Sequence, residues 1–155
     1  MDLADRHAPS RLRTLPSWLL NQTALVASRL VGDELARVGL RRPHYAVMAA
    51  LQEVGPASQA DLGRRTTIDR SDMVATLDEL GEAGLLDRAP DPTDRRRNLV
   101  TLTAAGRRRL RQLDRTLADV QGELLAPLSA GERRQLVALL TRVLDHHAAT
   151  RRSPS

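Results

Sequence analysis

Cysteine, lysine and phenylalanine are absent from this chain, and its aromatic residues reduce to Trp18 and Tyr45. Without cysteine there is no disulfide framework, no thiolate zinc site and no thiol redox sensor. Two isolated aromatics argue against a single-strand binder that stacks bases on aromatic platforms. No run approaches the ~18 apolar residues of a membrane span. Met1 to Ser10 is polar and charged, without the apolar segment of a secretory leader. A cytoplasmic location and no membrane partner are therefore expected. There is no nucleophile–base motif, no glycine-rich phosphate loop and no metal-ligand spacing, so neither enzymatic activity nor a cofactor is expected.

The chain has 155 residues, enough for one domain with a real core. It carries 24 basic and 19 acidic residues, a formal net charge of +5. Every basic residue is arginine. A GC-rich coding sequence would produce the same bias, so the number of arginines decides nothing. Arginine is also the side chain whose planar fork fits phosphates and guanine edges, so their positions matter.

Helical periodicity starts at Thr14 and Pro16 and runs through Leu19, Val26 and Leu30 to about Val38, with Gly39 as a stop. Pro43 opens a second helix that ends before Gly55-Pro56. Ser58, with Asp61 three residues on, caps a short third helix, and Thr66-Thr67 breaks it. Asp69 caps a fourth, with Met73, Val74, Leu77 and Leu80 as its predicted buried stripe and Gly84 as its end. Leu85–Arg88 and Asn98–Thr103 read as two strands of a hairpin, with Arg95, Arg96 and Arg97 at its tip. Thr103 caps a long fifth helix, Pro127 interrupts the rhythm, and Ser129 with Glu132 caps the last helix. This order predicts a mainly α fold with a small β-hairpin wing: a winged helix-turn-helix with terminal dimerisation helices. The predicted organisation is a flexible basic arm over 1–13, dimerisation helices over 14–42 and 104–147, a DNA-binding domain over 43–103 and a disordered tail over 148–155.

In a helix-turn-helix the second helix enters the major groove, which is about 12 Å wide, and a wing reaches toward the minor groove. The specific signals are Asp69-Arg70-Ser71-Asp72, Leu80 with Gly84-Leu85, the run Asp91 to Arg97, and Val100-Thr101-Leu102-Thr103-Ala104-Ala105-Gly106. On these residues the chain resembles the MarR family of bacterial winged-helix regulators over roughly residues 15–147. The resemblance implies a homodimer on double-stranded, nearly palindromic operator DNA, acting as a repressor. It implies that Arg96 reaches the minor groove while Asp94 holds it by a charge-assisted hydrogen bond. It places Arg70, Ser71 and Thr76 on the exposed face of the recognition helix. Ser58 and Gln59 would touch phosphate, with Arg64, Arg65, Arg95 and Arg97 adding contacts. Ala75-Thr76 departs from the basic or bulky residue many members carry there. With Asp72, Asp78 and Glu79 the helix is also acidic, which implies thin base readout.

The resemblance further implies a small aromatic or anionic effector that weakens DNA binding. Trp18, His44 and Tyr45, with Arg29 or Arg41 for an anionic group, are the candidate ligand residues. Trp18 and Tyr45 read equally well as packing residues. Two alternatives stand beside this reading. One is a metal-responsive regulator using Asp145, His146 and His147, although adjacent histidines point to different helix faces and His7 lies in the arm. The other is a helical dimeric adaptor that does not bind DNA.

Overall fold

The computed structural model of the chain describes residues 8–151. Its elements are α1 (Ser10–Arg13), α2 (Pro16–Arg37), α3 (Arg42–Val54), β1 (Ala57–Ser58), α4 (Gln59–Thr66), α5 (Arg70–Glu82), β2 (Leu86–Pro90), β3 (Asn98–Leu102), α6 (Ala104–Leu124) and α7 (Ala130–Arg151). They group into two compact units, one ending at Val120 and one starting at Gln121.

The ends are more regular than the sequence predicts. Part of the expected arm is helical, because Ser10–Arg13 makes a turn that Thr14 closes by donating its hydroxyl to the Arg11 carbonyl at 3.0 Å. Thr14 therefore does not cap α2, which starts on Pro16 with no side-chain cap. The tail expected to be disordered from Ala148 continues α7 to Arg151. Alanine at 148 and 149 is the best helix former, and Thr150 bonds back to the His146 carbonyl at 3.0 Å. Residues 1–7 of the arm, with His7, and 152–155 of the tail lie outside the described residues.

In the first unit, Leu35 of α2 meets Val47 and Met48 of α3, Leu62 of α4, and Leu77 and Leu80 of α5, all at most 1% exposed. Leu110 and Leu113 of α6 complete this core. Each such side chain contributes roughly 1.5–3 kcal/mol by leaving water. The second unit holds the end of α6, the turn at Pro127 and α7, where Ser129 and Glu132 form the predicted capping box.

The hairpin is part of a three-stranded antiparallel sheet in the order β1-β3-β2. Leu86 pairs with Leu102 and Pro90 with Asn98, while Ala57 and Ser58 pair with Val100 and Leu99. The sequence reading misses β1, since two residues cannot show an alternation. Gly39 and Gly84, at φ 73° and 70°, end α2 and α5 in left-handed conformations. After Gly84, the Leu85 amide returns to the Leu80 carbonyl at 3.0 Å, the bonding of a Schellman motif.

Helix α5 corrects the predicted stripe at two positions. Val74, expected inside, is 43% exposed, and Thr76, expected outside, is fully buried. The cause is angular. Thr76 lies three residues after Met73 and four before Leu80, inside the arc those side chains bury. Val74 lies at its edge. Polarity misdirects the assignment of both, because helical phase decides which side chain faces the core.

The Thr76 hydroxyl has no hydrogen-bond partner. A buried unpaired hydroxyl costs about 1–3 kcal/mol, and valine has nearly the same shape and the same β-branching. Thr76→Val is expected to raise stability by about 1 kcal/mol, seen as a higher urea midpoint at constant slope. A lower midpoint would show that the hydroxyl is bonded in solution.

Candidate nucleic-acid interface

Helices α4 and α5 form the helix-turn-helix. Ser58 caps α4 through a reciprocal box: its hydroxyl accepts from the Asp61 amide at 3.2 Å and donates to Asp61 Oδ2 at 2.6 Å. Serine 58 is thus buried and committed to the cap, so its hydroxyl is not the free phosphate donor the sequence reading expects. The ionised Asp61 carboxylate is favoured chiefly by that hydroxyl and lies below the usual range. Thr67 then takes a left-handed conformation at φ 55°, making the turn. Asp69 accepts from the Asp72 amide at 2.9 Å, which starts α5, and from the Ser71 hydroxyl at 2.7 Å.

The wing tip is closed by its own polar groups. Asp91 Oδ1 accepts from the amide and hydroxyl of Thr93, and the Asp91 amide donates to the Arg97 carbonyl at 2.8 Å. Asp94 Oδ1 accepts from the Arg96 backbone amide at 3.0 Å. Asp94 thus shapes the turn and does not hold the Arg96 guanidinium, as the sequence reading has it. Arg97 also departs from expectation. Its side chain folds back to Ser58 Oγ at 3.2 Å and Asp61 Oδ2 at 3.3 Å, tying the wing to the cap of α4. Only Arg95 and Arg96 project as free tip arginines.

Among the described residues, the guanidinium groups of Arg65, Arg70, Arg95 and Arg96 have no hydrogen-bond or ion-pair partner, and all four residues are exposed. Arg64 is paired with Asp61. Gln59 and Arg70 flank an open groove of ≈ 530 Å³ between α4 and α5, with Ala60, Ile68 and Met73 in its lining.

The acidity of the recognition helix is offset by arginines from other elements. Arg41 bonds Asp72 at 3.2 Å and both Glu79 oxygens at 3.1 Å, and Arg88 of β2 bonds Asp78 at 2.6 Å. These partners are invisible in sequence because they lie 10 to 38 positions away. His44 joins the same latch: its Nδ1 accepts from the Arg41 amide at 2.9 Å, which leaves Nε2–H to donate to Glu79 at 2.7 Å.

Burial, opposed by the bond to Glu79, lowers the His44 pKa below 6.5. A group whose pKa falls on folding adds stability above its unfolded value and loses it as pH falls through the folded one. The latch is therefore at full strength above pH ~6.5 and weakens below it. Glu79, held below the usual carboxylate range first by Arg41, adds a second loss below about pH 4.5. His44→Gln keeps a capping acceptor at this position but cannot titrate. Its urea midpoint is expected to vary less than wild type between pH 6.5 and 5; parallel curves would remove His44 from the pH response.

The five candidate ligand residues do not form one site within a chain. Arg41 and His44 are spent on the latch, and the Tyr45 hydroxyl donates to Asp114 at 2.9 Å. Burial and that carboxylate raise the Tyr45 pKa. Trp18 and Arg29 both lie on α2, eleven residues and about 16 Å apart along the axis, too far to share one small aromatic ring. Among the described residues, no group of three or more His, Asp or Glu side chains is placed to hold a metal, and His146 and His147 stack edge to face at 5.1 Å. No helix there is long and apolar enough to cross a membrane.

A capped helix-turn-helix beside a wing with free arginines defines a winged-helix DNA-binding regulator. Comparison with known proteins agrees. The profile described as MarR family matches residues 38–97. The chain is 34% identical to the PcaV transcriptional regulator of Streptomyces coelicolor, solved with its natural ligand, at a TM-score of 0.74; the match covers 89% of this chain and 97% of that one. It is 26% identical to Bordetella bronchiseptica BpsR, whose DNA binding is regulated by 6-hydroxynicotinic acid, at a TM-score of 0.77 over 88% of this chain and 98% of that one. It is 31% identical over 101 residues to the transcriptional repressor NicR of Pseudomonas putida, covering 65% of this chain but only 64% of NicR. The chain belongs to the MarR family, whose members regulate transcription and are not enzymes.

Proposed function

We propose that the protein is a homodimeric repressor that binds a nearly palindromic duplex operator and is released by a small aromatic acid. The carrying observation is the distribution of free charge. Arg65, Arg70, Arg95 and Arg96 are unpaired on the helix-turn-helix and wing, whereas Asp61, Asp72, Asp78 and Glu79 are each matched by an arginine. A second copy would cover the exposed apolar side chains of α2 (Leu19, Leu20, Leu25) and of α7 (Val137, Val143, Leu144). Support for an aromatic acid comes from the ligand of BpsR, and support for repression from NicR.

The test is fluorescence anisotropy on duplex DNA from upstream of the protein's own gene, against a scrambled duplex, across a salt series. Specific binding is expected to be at least ~10³ tighter than non-specific binding, with a log–log salt slope of several units. Titration with 6-hydroxynicotinic acid and related aromatic acids should release the DNA and change Trp18 fluorescence. Equal weak binding to the two duplexes, followed by failure to select any preferred sequence from genomic fragments, would favour the adaptor reading.

A further inference from the structure

We infer that Val74 is a specificity-determining residue that reads the 5-methyl group of thymine in the major groove. The inference rests on the duplex-DNA reading above and names the chemistry of one contact within it. Arg70, Val74 and Asp78 follow at i, i+4 and i+8 and form one ridge along α5. Arg70 is unpaired, Val74 is 43% exposed, and Asp78 is occupied by Arg88. The ridge therefore presents a free fork, then an apolar branch, then a neutralised carboxylate.

An exposed valine gains nothing for the isolated fold. It has a lower helix propensity than alanine because its χ1 is restricted against the preceding turn. Two residues on, the threonine fills the core position. A helix selected for stability alone would exchange the two side chains.

The occupant follows from what a major groove offers a small apolar branch. Bases there display donors and acceptors, apart from the thymine methyl, which is an apolar knob. The free Arg70 one turn earlier supplies the complementary charge for phosphate or a guanine edge beside it. With Asp78 held by Arg88, no free carboxylate on this ridge repels the DNA backbone.

The experiment uses the full chain. Duplexes are selected from a random pool, and each thymine of the preferred site is then replaced singly by deoxyuridine, which removes only the methyl. Transfer of one methyl group from water corresponds to about fourfold in affinity. At one or two thymines per half-site, deoxyuridine is expected to weaken wild-type binding about fourfold. Val74→Ala is expected to bind the thymine duplex similarly weakly and to show no further loss with deoxyuridine. Its thermal unfolding should match or exceed wild type, since alanine is the better helix former. Loss at no thymine, or an undiminished loss in Val74→Ala, would overturn the assignment while leaving DNA binding intact. Recovery of no preferred duplex would overturn the DNA reading itself, and the assignment with it.

Discussion

Gly106→Ala is expected to destabilise the fold by about 3 kcal/mol, at the upper end of what overpacking costs. Gly106 sits in the first turn of α6, where a glycine ordinarily costs up to ~1 kcal/mol relative to alanine. Here alanine has no room. A Cβ at position 106 would lie 2.2 Å from the Leu85 carbonyl oxygen and 2.9 Å from Leu102 Cδ2. The leucine side chain can rotate away, but the carbonyl cannot. It accepts from the Thr103 amide at 3.1 Å, while the Thr103 hydroxyl donates to the Gly84 carbonyl at 2.8 Å and accepts from the Gly106 amide at 2.9 Å. These three bonds fasten the turn after α5 to the start of α6. Relief of the clash must stretch them, and with them the seating of the recognition helix. For a chain of this length the melting temperature should fall by roughly 6–12 °C. An unchanged melting temperature would mean that α6 slides freely against that turn.

The second large effect is on binding. Arg96→Ala is expected to weaken operator binding by about 1–3 kcal/mol, roughly 5- to 150-fold. The loss should appear without loss of stability. The Arg96 side chain makes no contact with another polar group among the described residues, whereas its backbone is fixed by Asp94 at 3.0 Å. The substitution therefore removes a charge and leaves the turn in place. A narrow A·T minor groove concentrates negative potential, so A·T-to-G·C changes beneath the wing should weaken wild type and have little effect on Arg96→Ala. Arg97→Ala is the informative contrast. Arg97 holds the wing to the cap of α4 through Ser58 and Asp61, so its removal should disorder the wing as well as weaken binding. Unchanged affinity and an unchanged base preference in Arg96→Ala would remove that residue from the interface.

Much of the architecture is legible in the chain because its signals are local. Ser58 with Asp61, Asp69 with Asp72, and Ser129 with Glu132 are caps written within four residues. The glycines at 39 and 84 stop helices by backbone conformation, and the order of helices, turn and basic hairpin follows from periods of 3.6 and 2. The misses share a different character. Val74 and Thr76 exchange places because hydrophobic character is a property of the residue, while burial is a property of the helix phase set by neighbours. Asp94 and Arg97 keep the positions the motif gives them but not the partners.

The sequence by itself determined that this is a helical chain with a turn between two short helices, a basic hairpin and no thiol chemistry, because propensity, capping and composition act over a few residues. Only the tertiary structure decided which charges are free. Arg41 meets Asp72 and Glu79, Arg88 meets Asp78, and Arg97 meets Asp61 across separations no local pattern encodes. Coulomb attraction and hydrogen bonding depend on distance in space, and the packing of α3, α5 and the wing on one core sets that distance.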